Sequence, residues 1–257
     1  YGRALPCAIH VDTGINRLGL TPPEFDVLVK DAGLRSGLGI ALLMSHLACA
    51  DDPPHALNKV QMQRFGRLRK LLPDVPASLA NSSGIFLGKD YVNDLCRPGI
   101  ALYGGNPTPG KKNPMKAVAT LEGAVLQVRD VKKGESVGYS ATWKAPRDSR
   151  IAILGAGYKD GVPRHLSSRQ KDGPAQVVVA GKRCPIVGRI SMDMMGVDVT
   201  ALPKAKVTRG TRAEILGPRL PIDEAAGWAG TISYELLTRL GSRYARLYSG
   251  TANPGES

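Results

Sequence analysis

A stretch rich in proline, glycine and asparagine, Gly104-Gly-Asn-Pro-Thr-Pro-Gly-Lys-Lys-Asn-Pro114, divides the chain into two halves with different patterns. Pro and Gly at this density break regular elements, so the stretch reads as a linker. Before it, strand and helix signals alternate. Apolar strand-like runs stand at residues 5–11, 39–45, 77–80 and 95–103. One intervening helix starts at Thr21-Pro-Pro-Glu24, with Thr21 as cap, prolines in the first turn and Glu24 at capping-box spacing. Phe25, Leu28 and Val29 supply its apolar face. A second helix, over residues 56–72, carries Leu57, Val60, Phe65, Leu68, Leu71 and Leu72 at helical spacing and stops at Pro73. This alternation predicts a parallel α/β architecture. After the linker come short β-rich runs at residues 117–128, 136–143, 150–157, 175–179, 183–188, 194–199 and 211–216. Turn residues separate them, as in antiparallel β domains. A helix over residues 224–240 and a frayed tail from 249 complete the reading. The expected domains are residues 1–113 and 114–257.

Composition narrows the function classes. The net charge is +13, but basic residues are dispersed and aromatics make up only 5%, too few for base-stacking platforms. The charge therefore reads as a solubilising basic surface, with no nucleic-acid partner. The longest apolar run, Ile40-Ala-Leu-Leu-Met44, reads as a buried strand and is far below the ~18 residues of a membrane span. Cys7, Cys49, Cys96 and Cys184 are widely spaced, which excludes zinc ribbons and redox pairs. His10, His46, His55 and His165 show no ligand spacing, so no metal is expected. Free thiols fit a reducing, cytoplasmic compartment. The chain opens directly into an apolar run without Met, and this start resembles the middle of a domain.

Polar clusters follow each strand of the first half. They are Asp12-Thr-Gly-Ile-Asn-Arg17, then Ser45-His46 with Asp51-Asp52, then Asn81-Ser-Ser-Gly84, then Arg97-Pro-Gly-Ile100. In a parallel barrel that edge binds ligands. The last two clusters suit a phosphate, because small residues and free N–H groups let an anion approach. Neither a P-loop nor a dinucleotide fingerprint occurs. In the second half, pattern alone reads Tyr139 as a half-buried strand tyrosine.

Five motifs carry a family resemblance. They are His10-Val-Asp-Thr-Gly-Ile-Asn-Arg-Leu-Gly, Arg97-Pro-Gly-Ile-Ala-Leu-Tyr-Gly104, Val137-Gly-Tyr-Ser-Ala-Thr-Trp143, Gly157-Tyr-Lys-Asp-Gly-Val-Pro-Arg164 and Gly188-Arg-Ile-Ser-Met-Asp193. Together, and in this order, they resemble the alanine racemases. The resemblance implies the C-terminal half of a TIM-type (β/α)8 barrel followed by an antiparallel β domain. It also implies a pyridoxal 5'-phosphate cofactor, a homodimer with shared active sites, an amino-acid substrate and a supply of D-alanine for peptidoglycan.

Residue by residue, the resemblance makes Tyr139 the catalytic tyrosine that works in the partner protomer's site, on the L-alanine face. His46 is the histidine bonded to that tyrosine. Arg97 contacts the histidine and faces the cofactor's pyridine nitrogen. Ser82, Gly99 and Ile100 meet the phosphate, and Tyr158 lines the cofactor wall. Arg17 and the backbone of Met192 bind the substrate carboxylate, while Asp51, Arg164 and Arg189 resemble entrance residues. Three departures stand out. No V-K-A-N-A-Y-G-like motif with the cofactor lysine occurs, so the first half of the barrel is expected to be absent and this chain inactive by itself. His10 stands where some members carry a carbamylated lysine. Ser242 stands at the position of a phosphate-binding tyrosine, with Tyr244 nearby as a substitute. A serine or broad-specificity racemase, and an inactive fragment acting as an assembly module, are the alternatives.

Overall fold

The computed structural model describes residues 4–167, 169–170 and 173–249. It forms two compact units, the first ending at Lys116 and the second beginning at Ala117.

The first unit holds β1 (Pro6–His10), α1 (Pro22–Lys30), α2 (Ala32–Ser36), β2 (Gly39–Met44), α3 (Ala56–Arg69), β3 (Ala77–Ser78) and α4 (Ser82–Ile85). The strands form a parallel sheet in the order β1-β2-β3. Parallel neighbours need long crossovers, which α1–α2 and α3 supply. Thr21 caps α1 with the expected reciprocal box: Glu24 N–H donates to Thr21 Oγ1 at 3.5 Å, and Thr21 N–H donates to Glu24 Oε2 at 2.7 Å. Phe25, Leu43, Phe65 and Ala77 are fully or almost fully buried between helices and sheet.

Three expectations change here. Of the run Ile40–Met44 only Leu43 is buried. Helix α3 turns Asn58, Gln61 and Phe65 inward and leaves Val60 exposed. The buried polar groups there fasten neighbouring loops, as described below, and so displace an aliphatic from the inner face. The fourth strand is replaced by one parallel bridge, Asn81 to Arg97, and a 3-10 turn over Ile100–Tyr103. Pro98 has no N–H for a ladder, and Gly99 leaves the extended region at φ −118°, ψ −91°.

The second unit is a closed antiparallel barrel. Its elements are β4 (Leu121–Val131), β5 (Ser136–Val137), β6 (Trp143–Lys144), β7 (Ser149–Leu154), β8 (Arg169–Gln170), β9 (Gly173–Pro174), β10 (Gln176–Val179), β11 (Lys182–Val187), β12 (Met195–Asp198), β13 (Arg212–Leu216), α5 (Ile222–Trp228) and α6 (Ser233–Thr238). The barrel runs β10-β11-β12-β7-β4-β13 and closes through β13 onto β10. Closure removes free sheet edges. Leu154, Val177, Val179, Met195 and Val197 fill the interior. The expected strand at 136–143 is split into β5 and β6, with Tyr139 in the turn between them. The helix expected over 224–240 is two short helices, because Gly230 at φ +66° ends the first and Ile232 is extended. The tail beyond residue 249 lies outside the described residues. Among the described residues, no helix is long and apolar enough to cross a membrane.

Candidate active site

In the first unit the predicted residues gather where the parallel strands end. The loop after β1 is shaped by Asp12, whose Oδ1 accepts the N–H groups of Gly14 at 2.8 Å and Ile15 at 3.0 Å. Burial works to raise the Asp12 pKa, but the backbone N–H groups of Gly14, Asn16 and Ile15 outweigh it and lower the value. Gly14, at φ +141°, supplies a backbone conformation that other residues rarely adopt. This loop carries Arg17, exposed, with its charge felt at both His10 and His46.

A buried polar network ties this loop to the loop after β2. Thr13 Oγ1 and Ser45 Oγ are 2.7 Å apart. Gln61 Nε2 donates to Thr13 Oγ1 at 3.2 Å and to His46 O at 2.9 Å, while Gln61 Oε1 accepts Ala48 N–H at 2.8 Å. Arg64 Nη1 donates to Thr13 O at 3.0 Å. Asn58 Nδ2 donates to Cys49 O and Asp52 O. A buried polar group costs stability unless it is bonded. Gln61 satisfies both ends of its amide and thereby fixes the backbone of His46.

Arg97 reaches across the ends of β2 and β3. Its Nη1 donates to Ser78 Oγ, and its Nη2 donates to Ser45 O at 2.5 Å. The same Nη2 lies 3.5 Å from His46 Nδ1. Asn81 Nδ2 lies 3.4 Å from His46 Nε2. Burial, followed by the charge of Arg97, pushes the His46 pKa below its ordinary value, and His10 is lowered for the same two leading reasons. Both imidazoles are therefore neutral at neutral pH. His10 Nε2 is buried with no hydrogen-bond partner among the described residues.

The depressed histidines imply a pH dependence. The unfolded chain takes up protons near 6.5, whereas the folded chain does so only at lower pH. In that window the unfolded state binds more protons, so stability falls as pH drops. The urea midpoint of the first unit is expected to fall between pH 7.5 and 5.5, and His46→Gln to flatten the change. An unchanged slope in the variant would remove His46 as its source.

Ser82 is buried, and its Oγ accepts the N–H of Gly99 at 2.7 Å and of Ala101 at 3.4 Å. Gly99 therefore gives its N–H to Ser82. A hydroxyl has two lone pairs and one proton, so the Ser82 proton is left for an outside acceptor. Ile100 lies beside it at the start of the 3-10 turn. Asp51 is exposed.

In the second unit, Tyr139 is 70% exposed, not half-buried as its pattern suggests. Its turn is strained: Ser140 and Ala141 sit at φ +59° and +47°. Such conformations persist where surroundings fix them. Here Arg189 Nη1 donates to Ser140 Oγ at 2.9 Å, and the Cβ that Gly138 lacks would lie 3.1 Å from Arg189 N. Arg164 and Arg189, with Trp143 and Ile186, line a cavity of about 1000 Å³.

Tyr158 and Met192 are brought together on adjoining loops, both side chains partly exposed. Tyr158 N–H donates to Ser191 O at 3.1 Å, and Lys159 N–H donates to Met192 O at 3.0 Å. Ser242 is exposed. The Tyr244 hydroxyl is buried without a partner among the described residues, and burial, with Asp160 nearby, pushes its pKa up to about 12. The pattern missed Gln61, Asn58, Asp160 and Arg243. Asn58 and Gln61 had one signal, polar residues at i, i+3 within the α3 periodicity, and Arg243 had none.

Two family models match the chain: alanine racemase, N-terminal domain, over residues 1–107, and alanine racemase, C-terminal domain, over residues 118–248. Curated alanine racemases are similar along nearly its full length. That of Rhodospirillum rubrum is 49% identical over 249 residues, covering 97% of this chain and 65% of the relative. That of Methylobacterium nodulans is 51% identical over 247 residues, covering 96% and 65%. Among solved structures, alanine racemase from Bartonella henselae with covalently bound pyridoxal phosphate aligns with a TM-score of 0.85 at 42% identity, covering 95% of this chain and 66% of that one. Alanine racemase from Streptomyces coelicolor aligns with a TM-score of 0.87 at 33% identity, covering 96% and 67%. The chain spans about 65% of the length of the first curated relatives it matches. Both family models match it, so the expectations that it lacks the N-terminal half with the cofactor lysine and is inactive by itself find no support here.

Proposed function

The chain belongs to the alanine racemase family, and on that premise we propose that it serves the pyridoxal-phosphate-dependent interconversion of L- and D-alanine, which supplies D-alanine for the cell wall in the cytoplasm. The observation that carries the reading is the cluster of Arg97, His46, Ser45 and Ser82 at one edge of the parallel sheet. We also infer that the first unit is part of a (β/α)8 barrel, since ligand residues in such barrels stand at the strand C-termini.

The residues present fit the cofactor. Ser82 keeps a proton for a phosphate oxygen, with Gly99 and Ile100 beside it. Arg97 is held by Ser78 and Ser45 and has only donors. Against the pyridine nitrogen of a bound cofactor it would have no proton to give, so that nitrogen would stay unprotonated and the electron demand would be moderated. When bound, the cofactor draws electron density from the substrate's α-carbon. The chain's own groups then handle the proton. Tyr139 takes or returns it on the L-alanine face, in the partner protomer of a homodimer. His46 is kept neutral and can share the tyrosine's proton. Arg17 and the Met192 N–H hold the substrate carboxylate, and Tyr158 packs against the cofactor.

Ser82→Ala tests the phosphate assignment. Binding of pyridoxal phosphate is expected to weaken about tenfold, the scale of a hydrogen bond to a charged group, with pyridoxal binding unchanged. Equal weakening of both would place Ser82 in loop structure and not at the phosphate.

A further inference from the structure

The 3-10 turn Tyr158–Asp160 is closed by Asp160, whose Oδ2 accepts Gly157 N–H at 2.9 Å. The Asp160 side chain is only 7% exposed. The neighbouring loop is closed by Ser191, whose N–H and Oγ both donate to Met194 O. Two backbone bonds join the loops, from Tyr158 to Ser191 and from Lys159 to Met192. Their approach is so tight that a Cβ on Gly157 would lie 2.4 Å from both Ser191 O and Met192 O.

A third segment, following α6, lies against them. A Cβ on Gly161 would lie 2.4 Å from Arg239 O. Four residues on, Arg243 Nε lies 3.3 Å from Asp160 Oδ1, and Arg243 Nη1 lies 2.6 Å from Asp193 Oδ1. One guanidinium thus bridges a buried carboxylate in the Tyr158 turn and an exposed one beside Met192. A planar fork with several fixed donors can span two acceptors, whereas an ammonium is a point donor. Arg243 and Asp160 belong to none of the motif positions that the resemblance assigns a role.

We propose that Arg243, acting through Asp160 and Asp193, is a positioning residue that locks the Tyr158 turn to the Met192 loop and so sets substrate affinity. The proposal rests on the racemase reading for its substrate. The Arg243 bridge resists separation of the two loops, which otherwise share two backbone bonds. Loosening them moves the Met192 N–H without touching the proton-transfer groups. Such a change reduces ground-state and transition-state binding alike, which appears in KM more than in kcat.

The test uses Arg243→Gln and Arg243→Lys. Amide hydrogen exchange in the cofactor-free chain gives one readout. Tyr158 and Lys159 amides are expected to exchange about tenfold faster in the Gln variant, because local opening is set by local contacts. The barrel amides of Val177 and Val179 serve as controls and should not change. In protein that racemises alanine, Arg243→Gln should raise KM for alanine about tenfold with kcat changed less than about threefold. Arg243→Lys should recover only part of either effect. Unchanged exchange at Tyr158 and Lys159 overturns the clamp. Faster exchange with unchanged KM overturns its role in substrate affinity. Wild-type protein that carries cofactor and racemises no alanine overturns the racemase reading itself, whatever the exchange result.

Discussion

Tyr139→Phe, made in protein that racemises alanine, is expected to slow racemisation by ~10²-fold or more, the usual scale for losing a general acid–base group. That is about 2.7 kcal/mol of barrier height. The substitution removes one oxygen from a side chain that is 70% exposed, so it leaves the barrel core intact. The turn geometry is fixed by Gly138, Ser140 and Arg189, none of which depends on the phenol oxygen. The loss therefore reports chemistry and not folding. It should also be one-sided. Exchange of the α-proton with deuterated water should collapse for L-alanine and persist for D-alanine, whose proton leaves the opposite face. Equal loss from both enantiomers would show that Tyr139 does not act on one face.

The second large effect is on stability. Gly157→Ala is expected to destabilise the second unit by about 3 kcal/mol, within the range of severe overpacking and strain. The new methyl would lie 2.4 Å from two carbonyl oxygens. Neither oxygen is free to withdraw, because each accepts an N–H from the Tyr158 turn. Gly66→Ala is the control. It lies exposed in α3 with nothing within 4 Å of the added carbon, so it should gain about 0.5–1 kcal/mol through helix propensity. Urea unfolding of both variants checks the pair. A Gly157→Ala midpoint equal to wild type would mean that the two loops are not packed as described.

Much of the fold was legible because periodicity and turn residues are local signals. The Thr21 capping box and the barrel strands β10, β11 and β13 follow directly from them. The fourth strand was not, since Leu95 and Arg97 do pair with β3 and its extension, and only Pro98 and Gly99 stop the run from continuing. Burial on α3 was misjudged for a different reason. Apolar spacing cannot foresee that Asn58 and Gln61 are needed inside to bind loop carbonyls. The candidate site residues of the first unit stand in the clusters after each strand that the sequence displays. Their connections were not legible: Gln61 and Thr13 are 48 positions apart, and Arg243 reaches Asp193 from a segment that carries no motif. Tyr139 illustrates the limit of pattern reading. Alternation suggests a strand, while the positive φ angles at Ser140 and Ala141 place it on a turn.

The most direct measurement of the account is the enantiomer ratio of alanine over time. Protein carrying this chain, with pyridoxal phosphate, is incubated with pure L-alanine and separately with pure D-alanine, and both are resolved on a chiral column. The account predicts that the two reactions converge on equal amounts of the enantiomers, because their free energies are equal. Bound cofactor with alanine left enantiomerically pure, or racemisation of another amino acid in its place, would contradict it.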